Sequence, residues 1–341
     1  MYVEFFGDGS IYPCCLAFIK RLCIGNVYSS AYEEAWNSDI AVRFRAELLN
    51  GDMSQCDQAR CLKTYVARRF IGGIIDPGQS FAEKMPLPKV VKFSHDRECN
   101  LYCVICRDSV HRNNPEQLID LDSKIERIFL PMLQNASAAI LSGDGDPFAS
   151  RHYRKLMSAI VKRYPDIFLH LHTNGLLCTE KNCRDLGIDR NIHTVCVTVN
   201  GATQAIYESI MRGGSFDKAM EALNWLSYQR KMGFIKRILI FFVVSSLNFR
   251  QMPAMARIAA DRGSEVYFWE YRERATYLKN SQAYSEMAIF EAGHPDHEEF
   301  IDICSNPILK QNHCHAYPAI GRHIWPDFAK RTMTDLPYDA F

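Results

Sequence analysis

Val90-Val91-Lys92-Phe93-Ser94-His95-Asp96-Arg97-Glu98-Cys99-Asn100-Leu101-Tyr102-Cys103-Val104-Ile105-Cys106-Arg107 joins a short apolar segment to three closely spaced cysteines. The first five residues are rich in β-branched and aromatic side chains and read as a strand. The strand opens at once into C-x3-C-x2-C. Three thiolates this close on one loop can wrap three irons of a cubane and leave the fourth iron open to a substrate or cofactor. Zinc is the competing metal. A structural zinc site closes on four ligands, and no fourth ligand follows at a familiar spacing, although His95 and His111 are near.

Outward from this loop the pattern alternates. Strands are expected at 90–94, 138–142, 167–172, 194–199, 238–245 and 265–271, with helices around 118–130, 151–163, 202–211, 216–231 and 250–262. Parallel neighbours need long, usually helical, connections, and right-handed crossovers curl such a sheet. The expected fold is therefore α/β, a partial (β/α)6 barrel over residues 90–275, with the cysteine loop at the end where catalytic loops gather. A small Cys-rich domain is expected over 1–75, with helices at 31–37 and 40–50. A linker punctuated by Gly and Pro follows over 76–89, and an irregular C-terminal extension over 276–341 packs on the barrel.

Composition narrows the class. The chain has 341 residues, 48% of them hydrophobic, enough for a large core. Lys and Arg number 40 against 39 Asp and Glu, so nothing advertises a nucleic-acid partner. The apolar run 238–244 is too short to span a bilayer, and residues 1–6 lack the pattern of a signal peptide. A cytoplasmic protein without membrane attachment is expected. Its 13 cysteines then point to metal rather than disulfides.

After the second strand comes Ser142-Gly143-Asp144-Gly145-Asp146-Pro147. Gly143 and Gly145 let the backbone approach a ligand, and Asp146 places a carboxylate beside them. Taken alone, the segment also reads as an ordinary turn. Thr173-Asn174-Gly175 ends the third strand and Thr198-Val199-Asn200-Gly201-Ala202 the fourth. His313-Cys314-His315 reads as an incidental cluster. Glu270 and Arg272, ending the sixth strand, read equally as substrate contacts or as a solvated strand end.

The cysteine loop resembles the signature of the radical-SAM superfamily, in its C-N-L-x-C variant. The resemblance implies that Cys99, Cys103 and Cys106 bind a redox-active [4Fe–4S] cluster, with Ile105 near the adenine of S-adenosylmethionine. It implies that Gly143, Gly145 and Asp146 meet the methionine amino group, with Asp for the usual Glu. Thr173, Asn174, Thr198, Asn200 and Arg212 fall where the cofactor is bound, and Asn248 near the adenosine. Thr198 and Asn200 depart from the family's S-x-D-G-A pattern but keep hydrogen-bonding capacity.

The N-terminus resembles a SPASM/twitch auxiliary iron–sulfur segment in four places. They are Gly9-Ser10-Ile11-Tyr12-Pro13-Cys14-Cys15, Ile24-Gly25-Asn26, Glu33-Glu34-Ala35-Trp36-Asn37, and the pair Cys56 and Cys61. It precedes the barrel, where relatives carry it behind. The implied ligands are Cys56, Cys61 and Cys14 or Cys15, with Cys23 as a further candidate.

The function implied is reductive cleavage of S-adenosylmethionine to a 5′-deoxyadenosyl radical, fed by an external flavodoxin- or ferredoxin-like donor. That radical abstracts hydrogen from a peptide or protein, or alternatively oxidises or epimerises a sugar-like small molecule. The rival from another class is a non-catalytic iron–sulfur protein for electron transfer or binding. The glycine–acid turn argues against it, because an electron carrier needs no cofactor pocket.

Overall fold

The computed structural model describes residues 2–15, 22–57, 84–272 and 281–328. Cys61 and the greater part of the expected linker lie outside them. Six parallel strands form the centre of the sheet: β4 (Val90–Ser94), β5 (Ala138–Leu141), β6 (Phe168–Thr173), β7 (Ile192–Thr198), β8 (Arg237–Val244) and β9 (Glu265–Glu270), each paired with the next in chain order. All six lie where the β-branched and aromatic runs place them. On one side of the sheet Val91, Phe93, Leu169, Leu171, Ile240, Phe242 and Phe268 are fully buried and share the main core with Leu156, Leu223 and Ala256 from the connecting helices. That is the covering a parallel sheet requires.

The helices start where side chains cap them. Ser150 Oγ accepts from Tyr153 N and Thr179 Oγ1 from Asn182 N, while Asn114 and Gln117 form a reciprocal capping box. That box moves the first helix to Pro115–Ser123, ahead of the expected 118–130. The chain then widens into the π-helical turn Ile125–Phe129, which buries Ile125 and Phe129.

Both edges of the sheet differ from expectation. At one, β1 (Tyr2–Phe6) from the N-terminal segment pairs parallel with β4, and the short strands β2 (Ser10–Tyr12) and β3 (Gly25–Asn26) continue outward antiparallel. The N-terminal segment thus shares the barrel's sheet. Two helices, Tyr32–Trp36 and Asp39–Leu49, follow β3, and Trp36 Nε1 is tied to Pro86 O at 3.0 Å. At the other edge, β10 (Cys314–Ala316) adds parallel to β9, flanked by helices His297–Cys304 and Pro318–Ile324. The C-terminal extension is therefore regular over much of its described length. Among the described residues the sheet has ten strands, with β3 and β10 at its edges.

Candidate active site

The cysteine loop leaves β4 through a buried polar network. Tyr153 Oη accepts from the amides of His95 and Asp96, both at 3.0 Å. Asp96 accepts from Glu98 N at 3.0 Å, from Asn113 Nδ2 at 2.9 Å and from Ser150 Oγ. Glu98, fully buried, is held by Arg151 N and Nε at 3.0 and 3.2 Å. The loop's far side hangs on the turn after the helix Gln204–Ile210: Tyr102 N donates to Arg212 O at 3.2 Å and Val104 N to Ile210 O at 3.0 Å. Cys103 Sγ lies 3.5 Å from Met211 Sδ, which also accepts from Asn200 Nδ2 at 3.2 Å.

Cys99, Cys103 and Cys106 are half-buried thiols. Burial pushes Cys99 up to about 11, helped by Asp146 and opposed by Arg107. Burial, with the neighbouring Cys106 and Cys99, pushes Cys103 higher still. Three thiols that repel one another as anions, with a guanidinium beside them, fit a polycationic guest that binds them as thiolates. Among the described residues, no three His, Cys, Asp or Glu side chains close on a single metal ion.

The turn after β5 packs on this loop. A Cβ on Gly145 would stand 2.6 Å from Glu98 O and 2.7 Å from Asp96 O, and one on Gly143 would strike Ser94 Oγ. These glycines serve close approach of two loops. Ser142, at φ 75°, is held in that conformation by its Oγ bonding Gly145 O at 2.6 Å. Asp146 is buried, and all its acceptor positions face protein donors: Phe148 N at 3.0 Å, Ala149 N at 3.1 Å, Thr173 Oγ1 at 2.7 Å and Asn174 N at 2.8 Å. Burial raises its pKa and these four bonds oppose the rise. Its carboxylate clamps the ends of β5 and β6 together. Asn174 then reaches the cysteine loop, with Nδ2 2.9 Å from Asn100 Oδ1 and 3.9 Å from Cys99 Sγ.

Asn200 and Asn248 are likewise engaged with backbone. Asn200 Oδ1 accepts from Val243 N at 2.8 Å, while Asn248 Nδ2 donates to Asn200 O at 3.1 Å and Val243 O at 2.9 Å. Arg212 presents its carbonyl to the loop and its side chain outward. Ile105 packs half-buried against the main core, and Thr198 lies half-buried at the end of β7, in register with Phe241. Cys14, Cys15, Cys23 and Cys56 are half-buried and not joined as disulfides; Cys23 Sγ donates to Gly25 O at 3.2 Å. His313 and His315 are apart in function: one meets Ala256 O at 2.9 Å, the other Glu265 Oε2 at 2.8 Å. Glu270, buried, pairs with the half-buried Arg272 at 2.8 Å, so they are not a solvated strand end.

Sequence reasoning missed Asp96, Glu98, Met211 and Tyr153. The only signal for the first two is position: carboxylates at 96 and 98 alternate on a stretch that passes directly from a buried strand to the cysteines.

An open parallel sheet with three cysteines after its first central strand, clamped by the loops after the next two, defines an iron–sulfur enzyme architecture. The family model of the radical-SAM superfamily matches residues 93–259, and that of the SPASM iron-sulfur cluster-binding domain residues 2–75. The chain belongs to the radical-SAM superfamily and carries its SPASM segment in front. The family implies a [4Fe–4S] cluster with S-adenosylmethionine, and the SPASM segment auxiliary iron–sulfur clusters.

Among curated proteins, the chain is similar to the FeMo cofactor biosynthesis protein NifB of Methanocaldococcus infernus, with 27% identity over 36% of this chain and 43% of that one. It is similar to the GTP 3',8-cyclase of Synechococcus sp., with 27% over 54% and 55%. It is also similar to the mycofactocin maturase MftC of Mycolicibacterium smegmatis, with 25% over 55% and 46%. The chain thus spans about half the length of these relatives. Among solved structures it aligns with Streptococcus suis SuiB bound to precursor peptide SuiA, at TM-score 0.48 and 14% identity over 83% of this chain and 64% of that one. It also aligns with anSMEcpe bound to AdoMet and a Cp18Cys peptide, at TM-score 0.42 and 16% identity over 68% and 63%.

Proposed function

We propose that the chain cleaves S-adenosylmethionine reductively and uses the product to abstract hydrogen from a peptide or protein substrate. The observation that carries this reading is the cysteine loop itself, three thiols after β4 in a loop held by the turn after β5, by Asn174 after β6 and by the turn after the helix Gln204–Ile210. Once bound, the cluster and S-adenosylmethionine supply an electron and a 5′-deoxyadenosyl radical strong enough to attack an inert C–H bond. The protein's own contribution is placement. Cys99, Cys103 and Cys106 hold three irons, while Asn174 and Arg107 stiffen the loop around them. Gly143 and Gly145 bring the backbone of the second loop alongside, and Asp146 fixes that loop without itself reaching the ligand. Ile105 and Thr198 line the adenosine side, and Asn200 and Asn248 hold the strand ends that frame it.

The auxiliary site draws its ligands from Cys56, Cys61 and Cys14 or Cys15, with Cys23 as a further candidate, all within residues 1–75. A flavodoxin- or ferredoxin-like donor reduces the centre. The test is 5′-deoxyadenosine formation by anaerobically reconstituted, reduced protein beside a Cys99/Cys103/Cys106→Ala triple variant. Product from the parent alone supports the reading. An iron-loaded parent that makes none, with or without candidate peptides, returns the protein to the electron-carrier class.

A further inference from the structure

The inner face of the sheet is lined by the residues that alternate with the buried outward ones. At the C-terminal half of the strands these are Lys92, His172, Thr198, Phe241, Val243 and Trp269. Each is half-buried, whereas the outward neighbours Phe93, Leu171, Val197, Phe242 and Phe268 are fully buried. Deeper on the same face Leu239 and Tyr267 are closed over together with Tyr317, so the open part of this concavity lies towards the C-terminal ends of the strands, the end at which the cysteine loop leaves β4.

Its two walls differ. Phe241 and Trp269, with ring centroids 5.6 Å apart, and Val243 make an apolar wall. Beside it, on β4, β6 and β7, stand Lys92, His172 and Thr198. Lys92 is the one cation among these six, and its Nζ is paired with Glu4 Oε1 of β1 at 3.0 Å, an oxygen that also accepts from Ser94 Oγ at 2.8 Å. His172 is different. Its ring is 5.9 Å from Phe241, and its Nε2 is buried with no hydrogen-bond partner among the described residues. An unmet ring nitrogen in such a place is costly unless a ligand meets it. Burial, Lys92 and His170 hold this imidazole down to about 3, so it stays neutral at any working pH.

We infer that the concavity seats an uncharged amide, a peptide unit with an apolar side chain, whose amide bonds His172 Nε2 and whose side chain lies on Phe241 and Trp269. A neutral imidazole offers one N–H and one lone pair, the complement of an amide. A carboxylate or phosphate would need an uncommitted cation here, whereas Lys92 is paired with Glu4 and Arg272, 5.4 Å from the centre of the Trp269 ring, is paired with Glu270. The inference rests on the proposed function, since it takes the concavity at the cysteine loop's end of the sheet as the place where substrate lies.

The experiment is calorimetric titration of the reconstituted full chain, with S-adenosylmethionine present, by N-acetyl-L-leucinamide and by N-acetyl-L-leucine. The amide is expected to bind at least about tenfold more tightly than the carboxylate. His172→Phe should weaken amide binding by about tenfold, as expected for one buried hydrogen bond left unmade, and His172→Gln should restore most of it. Thermal unfolding of both variants shows whether they fold. Equal affinity for the two probes, an unchanged affinity in a folded His172→Phe variant, or no binding of either probe overturns the inference. Binding needs no turnover, so a protein that cleaves S-adenosylmethionine but ignores the amide refutes this inference alone. One that binds the amide but makes no 5′-deoxyadenosine refutes the proposed function alone.

Discussion

Asp146, buried after β5, ties that turn to the end of β6 through Thr173 and Asn174. A carboxylate beside two glycines reads as a ligand contact, yet in the fold it is saturated by Thr173, Asn174, Phe148 and Ala149. Only the three-dimensional meeting of two strand ends reveals this. Asp146→Ala strands four buried donors, and the expected cost is about 3–5 kcal/mol, seen as a lower Tm together with lost S-adenosylmethionine affinity. A variant of parental Tm that loses only affinity would instead mark Asp146 as a direct ligand contact. The spacing of the cysteines, by contrast, is local and visible in the sequence itself. Burial holds Cys99 at about 11, and iron binds thiolate, so loading must release protons. Iron uptake at a fixed iron concentration should therefore rise between pH 6.5 and 8.5. Uptake that is flat with pH would argue against protonated thiols in the unloaded loop.

Strands β4 to β9 were legible because each is a run of β-branched and aromatic residues bounded by turns. β10 was not, since Cys314, His315 and Ala316 carry no such signature and are strand only because β9 offers an edge. The contact that fixes this corner is Glu265. It accepts two bonds from Arg237 at 2.5 Å and one from His315 at 2.8 Å. Burial alone would raise its pKa, but His315 and Arg237 outweigh burial and hold it at about 2. The folded value lies below the unfolded one, so this stability is present above pH 4.5 and is lost as pH falls towards 2. Glu265→Gln should cost about 2–3 kcal/mol at neutral pH and should remove part of the acid sensitivity. Denaturant unfolding at pH 7 and pH 3 measures both; parallel pH profiles for the two proteins would contradict the assignment.

At the scale of the molecule, the N-terminal segment reads in the sequence as a separate cysteine-bearing unit, because its motifs are local and its pairing partner lies 88 residues away, Tyr2 opposite Val90. The structure joins it to the barrel through β1, whose Val3 and Phe5 are fully buried and whose Glu4 meets Lys92. Deleting residues 1–57 would bare the edge of β4 and its apolar covering, an invitation to edge-to-edge association. The shortened chain is expected to aggregate, and light scattering that shows a soluble, folded monomer would contradict this. The central claim, that Cys99, Cys103 and Cys106 hold a cluster that engages S-adenosylmethionine, is tested most directly with Cys14, Cys15, Cys23, Cys56 and Cys61 replaced by Ala. The measurement is the low-temperature electron paramagnetic resonance spectrum of that reconstituted, reduced protein with and without S-adenosylmethionine. The account predicts about four irons per chain and a signal that changes when S-adenosylmethionine is added. A protein that binds no iron, or whose signal is indifferent to S-adenosylmethionine, would contradict it.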